Sequence, residues 1–306
     1  MILLQQMIAF FIFMLIGYYM RRKNVLDEKG ASAISWLIVN FANPALILSG
    51  AVSGGGAIPA GDLLKTLGTG IALYLAMVIM AYFIPVILRV PRRETGIYRN
   101  MTVFTNIGFM GYPLINALLG ARAVLYASVF IIPFHVLIYT YAIRNFEYYA
   151  GRQTSRFSPK SLLNVGMIAS LIAIALNFIQ PPIPMFMTTT ITHLSNCTAA
   201  LSMINIGAFV AGMELKKLVT DRRLNLFAFV RMLIIPIAGT FVMKALIHDQ
   251  LLLMIGMITL AAPTGSMAAI MANQHDPDSD LTVRGVALNT VLSVITIPLV
   301  SLITGV

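Results

Sequence analysis

The chain has 306 residues, of which 58% are hydrophobic and only 10% are charged, and its mean hydropathy is +0.86. This composition excludes an ordinary soluble domain and predicts an all-α polytopic membrane protein. The net charge of +10 would suggest a nucleic-acid partner in a soluble protein. The single cysteine, Cys197, excludes an internal disulfide and a thiolate-rich metal site.

Ten hydrophobic segments are candidates for membrane-spanning helices, each of which needs about 20 residues. In chain order they cover residues 2–20, 31–52, 63–88, 96–119, 122–144, 161–179, 185–213, 223–247, 250–272 and 282–304. If the first loop is cytoplasmic, the first four cytoplasmic segments carry four basic residues each and the fifth carries Arg284. This bias predicts a multi-pass protein of the cytoplasmic (inner) membrane with both termini outside. The basic charge then reflects topology within a lipid bilayer, and we expect no nucleic-acid partner.

The fifth and tenth segments are similar to each other. SVFIIPFHVLI (residues 128–138) aligns without gaps to SVITIPLVSLI (residues 293–303), with six of eleven positions identical. Five spans per copy is an odd number, so the second copy enters the membrane in the opposite orientation. We therefore predict a first five-helix inverted repeat over 1–145, a short cytoplasmic linker over 146–160, and a second five-helix repeat over 161–306.

Two predicted spans are interrupted near their middle, at matching places in the two repeats. The fourth contains TNIGFMGYPL (residues 105–114) and the ninth contains TLAAPTGSMA (residues 259–268). Each unpaired backbone group in lipid costs on the order of several kcal/mol, so such breaks persist only inside protein or beside a water-filled cavity. A matched pair of interrupted spans points to the binding site of a secondary transporter.

The interruptions have the chemistry of an anion site, because a helix broken inside the membrane presents N–H groups and the positive end of its dipole. The candidate substrate-binding residues are Asn106, Tyr112, Pro113, Pro263, Thr264 and Ser266. Gly108, Gly111 and Gly265 would let a ligand approach the backbone. Asn43 and Asn205, in the second and seventh spans, either line the same cavity or form hydrogen bonds between helices.

No carboxylate lies at the centre of a predicted span, which argues against a carboxylate-based sodium or proton site. His135 within the fifth span and Asp62 at the start of the third are the candidates for a proton-linked role. For Asp62, an ordinary interfacial ion pair with Lys65 is the alternative. Arg231 lies inside the eighth span and either snorkels to the cytoplasmic surface or faces the substrate.

Four stretches resemble the auxin efflux carrier family, in particular bacterial members related to the plant PIN-type auxin transporters and to malonate carriers. They are LIGYYMRRKNVLDEKGASAISWLIVNFANPALIL (15–48), TNIGFMGYPLINALLG (105–120), AAPTGSMAAIMANQ (261–274) and VLSVITIPLVSLI (291–303). The similarity extends over essentially the whole chain, and the stretches in the fourth and ninth spans are the most specific.

This resemblance implies ten transmembrane helices in two inverted five-helix repeats, with broken crossing helices 4 and 9. Bile acid:sodium symporters and NhaA-type antiporters share that architecture. The scaffold domain would consist of spans 1, 2, 6 and 7, and a homodimer would assemble through it. The mobile transport domain would consist of spans 3–5 and 8–10. The implied substrate is a small organic anion, such as an auxin-like carboxylate or a dicarboxylate.

We therefore expect a secondary transporter that moves such an anion by elevator-type alternating access. A ligand-binding membrane receptor or sensor of the same fold, and an ion channel, are the alternatives. The four histidines show no pairing typical of a metal or catalytic site. We expect no enzyme activity, no cofactor and no metal ion.

Overall fold

The computed structural model of the chain describes residues 2–52, 54, 56–151, 162–213, 220–275 and 279–306. Apart from one isolated β-bridge, the regular secondary structure of these residues is helical. The helices are α1 (Ile2–Arg22), α2 (Glu28–Val52), α3 (Ala60–Ile87), α4 (Thr95–Val103), α5 (Ile107–Leu119), α6 (Ala121–Phe130), α7 (Ile132–Tyr149), α8 (Val165–Ile179), α9 (Met185–Ala211), α10 (Arg222–Leu246), α11 (Gln250–Ala261), α12 (Ser266–His275) and α13 (Ser279–Thr304). Helix α7 extends into the predicted linker, of which residues 152–160 lie outside the described part of the chain.

Six of the described helices are long and apolar enough to cross a membrane: α1, α2, α3, α9, α10 and α13. Helices α6 and α7 meet at a bend of 43° and together would form a seventh crossing. The expectation of an all-α polytopic membrane protein is confirmed. Ten crossings in inverted repeats stay a prediction, because the apolar helices α5, α8 and α11 have at most 15 residues each. Such a helix is about 22 Å long, less than the hydrocarbon thickness of about 30 Å.

Polar residues at the ends of the predicted spans begin the helices. The Asp27 carboxylate accepts the backbone N–H of Gly30 at the start of α2. Asp221 and Asp249 cap α10 and α11 in the same way, and Asn164 caps α8. A side-chain oxygen at this position satisfies a backbone N–H that has no partner within the helix. These residues therefore have a structural role at helix ends.

Three helices widen by one π turn shortly before a proline. Proline has no N–H, and its ring collides with the carbonyl four residues earlier in a regular α-helix. A π turn spaces the carbonyls differently and accommodates that missing bond. The turns and their prolines are Ile38–Ala42 with Pro44, Ile107–Gly111 with Pro113, and Val230–Ile234 with Pro236.

The chain divides into two compact units. Unit 1 comprises Met1–Gly70, Ile107–Ile132 and Leu163–Gly212. Unit 2 comprises Ile71–Asn106, Pro133–Leu162 and Met213–Val306. The three boundaries within the first half of the chain fall inside predicted spans, the third, the fourth and the fifth.

In unit 1, glycines allow α1 and α9 to pack with their backbones in contact. A Cβ on Gly17 would collide with the carbonyl of Ile204, and a Cβ on Gly207 would collide with the carbonyl of Met14. Small residues at such contacts are typical of helix packing in membranes. Asn177 of α8 exchanges two hydrogen bonds with the backbone of Ile58, of 2.8 and 3.0 Å, and so holds the segment before α3.

The core of unit 2 is largely aromatic. Phe134 of α7 packs edge-on against Phe104 and Tyr74, with ring centroids 5.5 and 6.1 Å apart. Tyr98 of α4 packs edge-on against Phe227 of α10 at 5.2 Å. Edge-to-face pairs of this kind favour a fixed geometry in addition to burying area. They position Phe104, the first residue after α4.

Candidate functional site

Two helix interruptions in unit 2 pair with each other. Residues 104–106 follow α4, and residues 262–265 link α11 to α12. The N–H of Asn106 donates to the carbonyl of Pro263 over 2.7 Å, and the N–H of Gly265 donates to the carbonyl of Phe104 over 2.9 Å. Thr105 and Thr264 form the antiparallel bridge between these bonds. We refer to residues 104–106 and 262–265 as the paired interruption.

Local sequence explains why the chain leaves the helix here. The residue before a proline avoids the α conformation, and Ala262 accordingly has φ −58° and ψ 140° before Pro263. Gly265 permits the close approach of the two links, because a Cβ on it would lie 2.8 Å from the carbonyl oxygen of Thr105. The missing side chain of Gly265 thus makes room for the backbone of Thr105.

A chain of hydrogen bonds supports the end of α4. The amide of Asn289, on α13, donates to Oγ1 of Thr264 over 2.7 Å. That hydroxyl donates in turn to the carbonyl of Met101 over 3.0 Å. Both side chains are fully buried. A neutral hydroxyl therefore satisfies a carbonyl that the interrupted helix leaves open.

The end of α11 is capped by a cation instead. The Arg231 guanidinium of α10 donates through Nη1 to the carbonyl of Leu260 over 2.7 Å and through Nη2 to that of Ala262 over 3.3 Å. The Arg231 side chain is 0% exposed, so the expectation that it snorkels to the cytoplasmic surface is wrong. The carbonyl end of a helix carries about half a negative charge, which favours a cation at this place.

Several buried polar atoms around the paired interruption have no hydrogen-bond partner among the described residues. They include Oδ1 of Asn289 and Nε of Arg231. The hydroxyls of Tyr74 and Thr105 are neighbours, but no hydrogen bond of normal geometry joins them. Buried polar groups are nearly always paired with protein, water or ligand. Their concentration here marks a place where water or a small polar ligand would be held.

Three of the predicted binding residues meet at this place. Asn106 and Thr264 are buried and take part in the paired interruption, and so does the carbonyl of Pro263. Ser266 is half-buried and is the first residue of α12. It therefore lies next in the chain to Gly265.

The other four predicted binding residues belong to unit 1. Tyr112 and Pro113 are buried at the point where α5 changes from its π turn to the α conformation. Asn43 is half-buried on α2, and its Nδ2 lies 3.5 Å from the position that a Cβ on Gly108 would occupy. Asn205 of α9 donates to Oγ of Ser35 over 2.7 Å, which is a hydrogen bond between helices.

Asn43 and Asn205 share one further property. The Oδ1 atoms of both side chains are buried and have no hydrogen-bond partner among the described residues. Each amide is thus only partly satisfied by its surroundings in unit 1. A ligand or water molecule would complete it.

The two candidates for a proton-linked role occupy different surroundings. His135 is half-buried on α7, with its ring edge-on to Phe134 and its Nε2 without a partner among the described residues. Asp62 lies in the first turn of α3, with Oδ1 3.8 Å from Nζ of Lys65, and both side chains are substantially exposed. The Asp62 contact has the geometry of a loose surface ion pair.

Sequence reasoning noticed two polar residues of the site but missed the groups that they bind. Asn289 is a polar residue within the tenth predicted span, and it holds Thr264 across 25 positions of the chain. Arg231 acts on the carbonyls of Leu260 and Ala262, whose side chains are apolar. The available signal for both was a strongly polar residue inside a predicted span.

A known protein family matches nearly the whole chain. The sequence model of the family described as "Membrane transport protein" matches residues 2–301. The chain belongs to this family, the auxin efflux carrier family. The resemblance inferred from the four sequence stretches is confirmed, and the chain is a multi-pass membrane protein of a transporter family.

Two relatives match the chain along nearly its full length. One, named an uncharacterized transporter, comes from Methanothermobacter thermautotrophicus and is 24% identical over 310 residues, covering 98% of this chain and 97% of the relative. Another, also named an uncharacterized transporter, comes from Methanocaldococcus jannaschii. It is 22% identical over 301 residues, covering 94% of each chain.

Proposed function

We propose that this member of the auxin efflux carrier family carries a small organic anion across the cytoplasmic membrane. The observation that carries the proposal is the paired interruption, where a buried cation and unsatisfied polar groups surround two backbone links. Interrupted spans at matched positions are typical of the binding sites of secondary transporters. The substrate would be an auxin-like carboxylate or a dicarboxylate.

The electrostatics of the site favour an anion. Arg231 is fully buried, and no carboxylate of the described residues forms an ion pair with it. An isolated cation in a medium of low dielectric constant is costly unless an anion or oriented dipoles compensate it. The N-terminal end of α12, which begins at Ser266, adds backbone N–H groups and a positive dipole end.

The proposed contacts follow the predicted residues. Asn106 and Ser266 would donate hydrogen bonds to the carboxylate, next to the backbone at Pro263. Thr264, whose hydroxyl proton goes to the carbonyl of Met101, would hold the backbone of the site in position. Asn43, Tyr112, Pro113 and Asn205, all of unit 1, remain predicted substrate-binding residues. The open Oδ1 atoms of Asn43 and Asn205 are acceptors, so they would take a hydrogen bond from water or from a donor group of the substrate and not from its carboxylate.

We further propose alternating access of the elevator type, in which a transport domain carries the substrate past a scaffold. Partial support comes from the two compact units. Spans 1 and 2 and nearly all of spans 6 and 7 fall in unit 1 and spans 8–10 in unit 2, whereas spans 3, 4 and 5 are each divided between the units. The test is a disulfide engineered between spans assigned to the scaffold and to the transport domain. Full crosslinking is expected to abolish transport, and undiminished rates in crosslinked protein would contradict the mechanism.

Charge movement in proteoliposomes on a supported membrane tests the substrate class. Indole-3-acetate, malonate and malate are applied with and without sodium to wild type and to Asn106→Ala. This substitution removes only the side chain and retains the backbone bond from Asn106 to Pro263. We expect a saturable current in wild type and at least about a tenfold loss of apparent affinity in the variant, which corresponds to about 1.4 kcal/mol.

Thr190→Ala serves as the control variant. Thr190 is exposed on α9, and its hydroxyl donates to the carbonyl of Phe186 in the same helix. Its current is expected to equal that of wild type. A current that saturates in wild type but is unchanged in Asn106→Ala would move the site away from the paired interruption. Binding without any accumulation would favour a receptor, and single-channel events would favour a channel.

A further inference from the structure

Arg231 is the one Lys or Arg side chain that is fully buried among the described residues. Its guanidinium is held by two carbonyls at the end of α11, and α10 itself carries the residue. The charge is therefore attached to two helices at once. It lies beside the paired interruption, where the proposed function places the substrate.

The carboxylates described in unit 2 are engaged elsewhere. Glu94 pairs with Arg223 (3.7 Å), and Glu147 pairs with His275 (2.9 Å). Asp221 (3.8 Å) and Asp280 (2.9 Å) both pair with Arg284. Asp249 accepts the backbone N–H groups of Leu251 and Leu252. The carbonyl end of α11 supplies only about half a negative charge. The described part of unit 2 thus holds an excess of positive charge at the paired interruption.

We propose that Arg231 is a fixed countercharge that crosses the membrane field together with the substrate. This inference rests on the proposed function and names the residue that sets its charge balance. A domain loaded with a monoanion then moves as a neutral unit, whereas the empty domain moves one positive charge. In wild type the membrane potential therefore changes the rate at which the empty domain crosses the membrane. It does not change the rate of exchange of one monoanion for another.

The quantities involved are large enough to measure. One charge that crosses a potential of 100 mV changes an equilibrium by about 50-fold, equivalent to about 2.3 kcal/mol. If half of the field acts on the barrier, a rate changes by about sevenfold per 100 mV. The charge of the substrate then determines which step depends on the membrane potential. With a dianion, the loaded domain keeps one negative charge, so the loaded step depends on it as well.

The experiment records transient charge displacement after voltage steps, in reconstituted membranes, without substrate and at saturating indole-3-acetate or malonate. In wild type without substrate we expect a displacement of about one charge per carrier. Saturating indole-3-acetate, a monoanion, should remove the displacement. Malonate, a dianion at neutral pH, should give a displacement of opposite sign. Arg231→Gln is expected to abolish the substrate-free displacement and to create one with indole-3-acetate. Arg231→Lys, which retains the charge, is expected to behave as wild type.

Lys244→Gln is the matched control. Lys244 is also on α10 and also donates to a helix end, through Nζ to the carbonyl of Thr304 over 2.8 Å. Lys244 is exposed two residues before the end of α10. We expect a charge at that end to lie outside the field, so its removal should leave the displacements unchanged. If the role of Arg231 is purely structural, Arg231→Lys and Arg231→Gln should reduce the amount of folded carrier equally. Neither substitution should then change the sign of the charge displacement.

The outcomes separate this inference from the proposed function. Saturable anion uptake with displacements that do not depend on substrate charge would overturn the role of Arg231 and leave the anion carrier intact. A substrate-free displacement that Arg231→Gln abolishes, without uptake of any anion, would support the fixed charge and overturn the substrate class. If Arg231→Gln does not fold, the comparison of monoanion with dianion in wild type still decides the question.

Discussion

The amide of Asn289 and the hydroxyl of Thr264 form a fully buried hydrogen bond of 2.7 Å. The same hydroxyl donates to the carbonyl of Met101. One threonine side chain thus connects α13 to the end of α4 and to the link between α11 and α12. The stability of the paired interruption and the position of its backbone groups depend on that hydroxyl.

Thr264→Val is expected to destabilise the site at nearly unchanged side-chain volume. It leaves the Asn289 amide and the Met101 carbonyl buried without this partner, and such a loss costs about 1–3 kcal/mol. We expect a lower apparent melting temperature in detergent and a loss of most transport. Thr264→Ser retains the hydroxyl and is the control. Equal melting temperatures for Val and Ser would show that the hydrogen bonds do not stabilise the structure.

Gly265→Ala is expected to separate the two links. The added Cβ would lie 2.8 Å from the carbonyl oxygen of Thr105, closer than a carbon and a backbone oxygen normally approach. Overpacking of this kind costs about 1–3 kcal/mol, and it displaces the N–H of Gly265 from Phe104. Transport rate and melting temperature in detergent are the measurements, and both should fall.

Gly68→Ala provides the comparison for Gly265→Ala. Gly68 is exposed on α3, and a Cβ on it would have no atom within 4 Å. Alanine is favoured over glycine inside a helix by about 1 kcal/mol, so the control should be as stable as wild type or more stable. Wild-type behaviour of Gly265→Ala itself would refute the close approach at Thr105.

Gly17→Ala is expected to weaken the packing of α1 against α9. Its Cβ would overlap the carbonyl of Ile204, which belongs to the helix backbone and moves only if the helices separate. We expect a cost of about 1–3 kcal/mol, read as a lower melting temperature and more aggregation in gel filtration. Gly61→Ala, where a Cβ meets no atom within 4 Å, should have no such effect.

Asp62→Asn is expected to change little. The contact between Asp62 and Lys65 is 3.8 Å long and both side chains are substantially exposed, and exposed ion pairs contribute about 0–1 kcal/mol. Transport and its pH dependence should match those of wild type. If the pH dependence disappears in Asp62→Asn but persists in His135→Gln, Asp62 has a proton-linked role after all.

The sequence predicted the helical spans and the places where two of them are interrupted. Long apolar runs can only satisfy their backbone as helices in lipid, and Pro113, Pro263 and the adjacent glycines disturb that pattern visibly. Asp221 and Asp249 at helix starts also follow from local rules, because a cap bonds to N–H groups two or three residues away. Such features depend on neighbours in the chain.

Features that depend on tertiary contacts could not be predicted in this way. The partner of Thr264 is 25 residues distant, and the partners of Arg231 are carbonyls of Leu260 and Ala262. Backbone acceptors have no sequence signature. The snorkelling rule for Arg231 assumes that the side chain lies along a lipid-facing surface, whereas the fold buries it against α11.

Counterflow in proteoliposomes tests the central claim, that this chain is an alternating-access carrier of an organic anion. Vesicles are loaded with a high concentration of an unlabelled anion that gives a saturable current, and a trace of the labelled anion is added outside. A carrier should accumulate label transiently above its equilibrium level, and Asn106→Ala should reduce that overshoot. A monotonic approach to equilibrium in wild type would indicate a channel, and binding without uptake would indicate a receptor; either result would contradict the account.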